Sequence, residues 1–179
     1  MIWTMAIALM LAQASASDRP EPAEPGGKQA LYDNEAAAMA AGIHGDFAKE
    51  PGEALRARVK TLDARRFPWQ TVTDQDMRSR SGYWAPVGYR FHRAARADLN
   101  RDGKLDTVEM IENSRQQALR ITYGGSKKPP RIVAQAEGRW GDEGIFAAGR
   151  NAVMINYPES RVYFLFQRGA EVRAKFIGD

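Results

Sequence analysis

Arg161-Val162-Tyr163-Phe164-Leu165-Phe166-Gln167 is the stretch that decides how this chain folds. It is rich in β-branched and aromatic residues, which favour strands. It is also apolar at successive positions. Side chains alternate between the two faces of a strand, so such a run must be covered on both sides. It reads as the central strand of a sheet. Pro158-Glu159-Ser160 forms a turn before it and Arg168-Gly169-Ala170-Glu171 a turn after it. Beyond those turns lie the short apolar run Ala152–Tyr157 and the closing segment Val172 to Ile177. Further upstream, Arg131–Ala136 is strand-like and Leu119–Tyr123 alternates apolar and polar residues. Gly124-Gly125-Ser126-Lys127-Lys128-Pro129-Pro130 links these two as a hairpin loop. Short strands divided by turn clusters predict an antiparallel β-meander in the C-terminal half.

Helices are expected upstream. Pro51 opens a segment in which Leu55, Val59 and Leu62 fall at helical spacing, and Phe67-Pro68-Trp69 stops it. This helix, Gly52 to Leu62, is expected to cover one face of the central strand. Asn34 to Ala41 is alanine-rich and reads as a short helix ended by Gly42. Thr73, with Asp76 three residues on, marks the start of another short turn. The fold class is therefore α+β.

The first residues have a different texture. Met1 to Ala12 carries no charged side chain, and small residues follow in an A-x-A setting around Gln13 to Ser17. The apolar stretch is too short to span a bilayer and suits a secretory signal. The alternative is a short interfacial helix. Export implies a periplasmic or secreted protein with no stable membrane span after signal cleavage. Asp18 to Gly27 alternates proline and acid and reads as a tether. The expected organisation is a signal peptide over 1–16, a flexible linker with a short helix over 17–50, and one α+β domain over 51–179.

Composition narrows the chemistry. The 179 residues suit one domain, and 44% are hydrophobic. The net charge of +4 comes from basic residues interspersed with acids, so a solvated basic surface is expected and nucleic acid is not expected as a partner. The absence of cysteine excludes disulfides, thiolate metal sites and cysteine nucleophiles. The two histidines, His44 and His92, cannot build a multi-histidine zinc site. Trp69, Tyr83, Trp84 and Trp140 offer aromatic surface for a glycan or protein partner, or serve as core and loop anchors.

One segment carries recognisable site chemistry: Asp98-Leu99-Asn100-Arg101-Asp102-Gly103-Lys104-Leu105-Asp106-Thr107-Val108-Glu109. Calcium takes six to eight oxygen ligands. Asp98, Asn100 and Asp102 supply side-chain oxygens at alternate positions, and Gly103 permits a sharp turn. Lys104 contributes its carbonyl, Asp106 binds directly or through water, and Glu109 can add two oxygens. Leu105 is expected to pack beneath the loop, with Arg101 and Lys104 pointing outward. The competing reading is a plain turn, since Asp, Asn and Gly favour turns.

At its ligand positions the segment resembles the EF-hand calcium loop, which implies flanking helices and a bidentate Glu109. Met110 to Leu119 contains good helix formers. The longer stretch from Tyr89 to Asp179 is similar to exported bacterial proteins with a single FG-GAP- or VCBS-like unit. There the Asp-x-Asn-x-Asp-Gly-x-x-Asp pattern joins β-strands. That resemblance implies that Asp106 is a ligand and that Glu109 sits on a strand, facing away. The functional expectation is an exported, non-enzymatic protein with a largely structural calcium ion. The alternatives are a calcium-responsive EF-hand interaction module and an exported enzyme whose site the sequence does not reveal.

Overall fold

The computed structural model describes residues 27–55, 68–158 and 161–177. The signal-peptide reading and the start of the linker fall outside them. So does most of the helix expected from Gly52 to Leu62.

Among the described residues there are two α-helices and ten strands. Helix α1 spans Gly27–Ala41 and is followed by a 3₁₀ turn, Phe47–Lys49. Two short strands, β1 (Glu53–Ala54) and β2 (Gln70–Thr71), precede helix α2, Asp74–Arg80. Thr73 caps α2 in a capping box with Asp76, as the spacing of those two residues suggested. Then come β3 (Ala94–Ala97), β4 (Asp106–Glu112), β5 (Gln116–Thr122) and β6 (Arg131–Glu137). The chain continues with β7 (Gly144–Ala148), β8 (Ala152–Tyr157), β9 (Arg161–Arg168) and β10 (Glu171–Ile177).

Every pairing is antiparallel, and the strands form two sheets and not one meander. The first runs β1-β10-β9-β8-β7; the second runs β2-β4-β5-β6, with β3 on the same edge of β4 as β2. The sheets share a core. Val108, Met110, Leu119 and Ile121 of the second face Val153, Ile155, Tyr163 and Leu165 of the first. On the far side of the first sheet, Phe146, Met154, Phe164 and Phe166 meet Ala36, Ala40 and Phe47. The central strand β9 is thus covered on both faces: Tyr163 and Leu165 point into the sandwich, Phe164 and Phe166 under the helix.

Among the described residues the covering helix is α1, and the start of the segment expected to be helical after Pro51 is a short strand. Glu53 and Ala54 pair with Ala174 and Arg173 at the sheet edge. The helix also begins earlier than Asn34, and the segment read as a linker is folded against the sheet from Gly27 onward. Gln29, Ala30, Asp33, Ala36 and Ala40 form its buried stripe. Two polar residues in that stripe hide its amphipathic pattern. The helix-forming segment after the loop is likewise a hairpin, β4–β5. Asn113 turns it by accepting the N–H groups of Arg115 and Gln116, both at 2.9 Å. Burial of alternate residues in the sandwich outweighs the weak helical preference of Met, Glu and Gln.

Candidate functional site

The loop Asp98 to Leu105 joins β3 to β4 across one antiparallel ladder. Ala97 pairs with Asp106 at its base, and Ala94 pairs with Glu109 farther along. No helix flanks it. The backbone turns through two left-handed residues, Arg101 (φ 63°) and Gly103 (φ 83°).

Its polar side chains fold onto its own backbone. Asp98 accepts the N–H of Asp102 at 3.0 Å through Oδ1 and that of Gly103 at 2.9 Å through Oδ2. Asn100 Oδ1 accepts the same Asp102 N–H at 3.1 Å. Oxygens of Asp98 and Asn100 therefore meet at one point. Asp102 Oδ1 accepts from Lys104 N at 2.9 Å, and its Oδ2 accepts from Asn100 Nδ2 at 3.0 Å.

Asp106 is turned the other way and is fully buried. Its Oδ2 accepts from the N–H groups of Leu99 and Asn100, at 3.0 and 3.4 Å, and its Oδ1 from Gly124 at 2.9 Å. Burial pushes its carboxyl above the ordinary carboxylate range, partly opposed by these bonds. Asp106 thereby ties the loop to the β5–β6 turn. Leu105 O lies so close to Gly124 that a Cβ there would collide with it.

One supporting detail differs from expectation. Leu105 is 51% exposed, and Leu99, 1% exposed, is the residue that anchors the loop in the core. The β-arrangement explains the change: Leu99 follows β3 into the sandwich, whereas Leu105 lies on the outer rim beside Gly124. Arg101 and Lys104 do lie on the surface. Arg101 pairs with Asp46, outside the loop, and Lys104 lies across Gly125.

Glu109 sits on β4, three residues beyond Asp106. An odd separation on a strand places the two side chains on opposite faces. Glu109 pairs with Arg120 of β5. The structure thus places Asp98, Asn100, Asp102 and Lys104 on one loop, sets Asp106 at its base with the carboxylate turned inward, and leaves Glu109 apart on the opposite face of β4.

The donor set fits a hard cation. It consists of carboxylate, amide and carbonyl oxygens, and each hydrogen-bonded carboxylate oxygen keeps a further lone pair. Among the described residues, Asp98, Asp102 and Asp106 have no ion-pair partner. No three His, Asp or Glu side chains converge as a ready-made cluster among those residues. An ion would have to draw Asp98 and Asp102 partly away from the N–H groups they hold.

A second polar group lies beneath α1. Asp33, 1% exposed, accepts from Gln29 Nε2 at 2.8 Å and from the Tyr89 hydroxyl. Burial raises its carboxyl above the ordinary range; the Tyr89 and Gln29 bonds and the charge of His92 oppose that rise. His92 itself packs on Phe146 with ring centroids 4.6 Å apart. With all its partners supplied by the chain and no access to solvent, Asp33 fastens the helix. Of the four aromatic residues singled out as surface or anchor, Trp69 is half-buried and the other three are separated in role. Trp140 is buried and donates to Ile111 O at 2.9 Å, Tyr83 stacks on Tyr32, and Trp84 is exposed.

No protein-family model, curated protein or solved structure matches this chain.

Proposed function

We propose that this is an exported, non-enzymatic calcium-binding protein whose ion, held in the Asp98–Glu109 segment, is largely structural. One observation carries the reading. Asp98, Asp102 and Asp106 stand at the end of one hairpin without an ion pair among the described residues, and the loop's own arginine is paired with Asp46. Like charges gathered this way repel, and a divalent cation removes that cost.

The ligands in this reading are Asp98, Asn100, Asp102, Asp106 and the Lys104 carbonyl. Glu109 is not among them, because it serves Arg120 on the opposite face. The strand-flanked loop favours the FG-GAP-like resemblance over the EF-hand one. An EF-hand responds to calcium by reorienting two flanking helices, and strands β3 and β4 offer nothing comparable.

Displacing N–H groups from Asp98 and Asp102 weakens the net gain on binding. The affinity expected is that of extracellular modules, about 10⁻⁴–10⁻³ M. Binding to the folded state alone then stabilises the protein by about 1–3 kcal/mol at 10 mM calcium. For a chain of this size that raises the unfolding midpoint by roughly 3–8 °C.

The test is thermal unfolding in calcium and in chelator, beside an Asp98→Ala/Asp102→Ala variant. The midpoint of the parent protein should rise with calcium and that of the variant should not. Equal midpoints with and without calcium in the parent would reduce the loop to a turn. Export is a separate claim, supported by the apolar, uncharged start and the A-x-A residues. N-terminal sequencing of the protein recovered outside the cytoplasm would find a start near Ser15 or Ser17.

A further inference from the structure

The ion loop forms one wall of a cavity of ≈ 620 Å³ between the ends of the two sheets. Asn100 and Asp102 line it on the loop side, Tyr123, Lys128 and Arg131 on the β5–β6 hairpin, and Gln167 at the end of β9. The walls are fastened together. Tyr123 donates its hydroxyl to Gln167 Oε1 at 2.8 Å, and Arg131 donates to Ala170 O at 2.9 Å. The volume lies within the range of small-molecule sites, about 300–1,000 Å³, and exceeds what a bare anion fills.

The lining chemistry is specific in kind. Neither Lys128 nor Arg131 has an ion-pair partner among the described residues, so two cations line the cavity against the single carboxylate of Asp102. Both carry donors suited to a carboxylate. Asn100, Asp102 and Gln167 line the same cavity; each already holds hydrogen bonds within the chain, Gln167 to Tyr123 and to Gly169 O at 2.7 Å, and each keeps a further lone pair or N–H suited to a hydroxyl. The partly buried Tyr123 ring gives an apolar face against which the C–H side of a pyranose can lie.

We propose that this cavity binds a small acidic sugar: a pyranose whose carboxylate meets Lys128 and Arg131 and whose hydroxyls meet Asn100, Asp102 and Gln167. The loop adds a coupling that rests on the calcium reading above. Asp102 repels the sugar's carboxylate, and a divalent ion held by Asp98, Asn100 and Asp102 cancels the charge of the two aspartates and so removes that repulsion. Calcium therefore tightens sugar binding.

The test is a titration of the ¹⁵N-labelled full chain, followed by backbone amide shifts. The probes are methyl β-D-glucuronoside, its neutral counterpart methyl β-D-glucoside, and sodium acetate. The glucuronoside should move the amides of Asn100, Tyr123, Lys128, Arg131 and Gln167 saturably, the other two only weakly. Lys128→Gln/Arg131→Gln, both on exposed side chains, should weaken glucuronoside binding about tenfold, as expected for losing charge-assisted bonds, with amide changes in the free protein confined to the β5–β6 hairpin and the Ala170 turn that Arg131 touches. No saturable shifts with the glucuronoside would overturn the proposal, as would equal shifts with glucoside or acetate, or binding that the double variant leaves intact. Calcium alone reports separately on the loop. If it moves none of the amides from Asp98 to Asp106, the ion reading fails, and glucuronoside binding in its absence still decides the cavity.

Discussion

The two ends of strand β4 handle negative charge in opposite ways. At its C-terminal end Glu112 is 4% exposed and held by two arginines: Arg80 bonds both carboxylate oxygens, at 2.7 and 2.9 Å, and Arg139 reaches Oε1. Arg80 also donates to Trp140 O at 2.8 Å, which locks α2 to the second sheet. At the other end Asp98, Asp102 and Asp106 have only backbone N–H groups and one amide. At Glu112 the chain provides its own cations, whereas the equally buried Asp106 is met by backbone N–H groups alone. At the hairpin tip the carboxylates of Asp98 and Asp102 are met by backbone N–H groups and the Asn100 amide. Asp33 shows a third solution, since it meets burial with neutral hydrogen-bond donors and a raised affinity for a proton.

These differences can be broken one at a time. The largest effect is expected at the self-neutralised end. Glu112→Ala strands Arg80 and Arg139 around a hole and should cost about 2–4 kcal/mol, read from denaturant unfolding. The loss should be the same in calcium and in chelator. A calcium-dependent loss would mean that the two ends of β4 are not independent.

Next is the loop. Asp98→Ala/Asp102→Ala should remove the calcium-dependent gain described above and change the calcium-free midpoint much less, because relieved repulsion offsets the lost turn bonds. Glu109→Gln is a smaller perturbation that sharpens the ligand set. It weakens a partly exposed pair with Arg120 and should cost about 0.2–1 kcal/mol while keeping the full calcium shift. A calcium shift lost in this variant would restore Glu109 as a ligand.

The subtlest effect concerns Asp33. Its folded-state pKa is raised, so the folded protein holds that proton more tightly than the unfolded chain does. Its contribution is therefore most favourable below the ordinary carboxylate range. It declines as pH rises from about 4 through the folded value, and is constant above it. Asp33→Asn does not titrate and should show a smaller fall in urea midpoint between pH 4 and 7. Glu143, also raised by burial, is present in both proteins and cancels in the comparison. Identical pH profiles would show that the proton does not neutralise Asp33.

Much of the sheet could be read along the chain because strand side chains alternate with a period of two. The double-sided apolar run at Val162–Phe166 announced a covered central strand, and the turns around it marked its neighbours. What covered it could not be read in the same way. The stripe of α1 contains Gln29 and Asp33, whose partners Ser81 and Tyr89 lie about fifty residues away. A buried polar pair looks like surface until its partners are known. Of the helix expected after Pro51, Glu53 and Ala54 are instead captured by the edge of β10, and residues 56–62 lie outside the described residues.

For the loop, the sequence by itself determined the oxygen-bearing residues, their alternate spacing and the glycine that lets the chain turn. These are local properties fixed by covalent order. Tertiary structure alone decided that Glu109 faces Arg120, that Asp106 reaches across to the N–H of Gly124, and that Arg101 leaves the loop for Asp46. It also decided that Lys128 and Arg131 come to line one cavity with Asn100 and Asp102. Each of those relations depends on which strands lie side by side and on which face each side chain emerges. Strand pairing is a long-range choice made by burying the sandwich core, and no short stretch of sequence contains it.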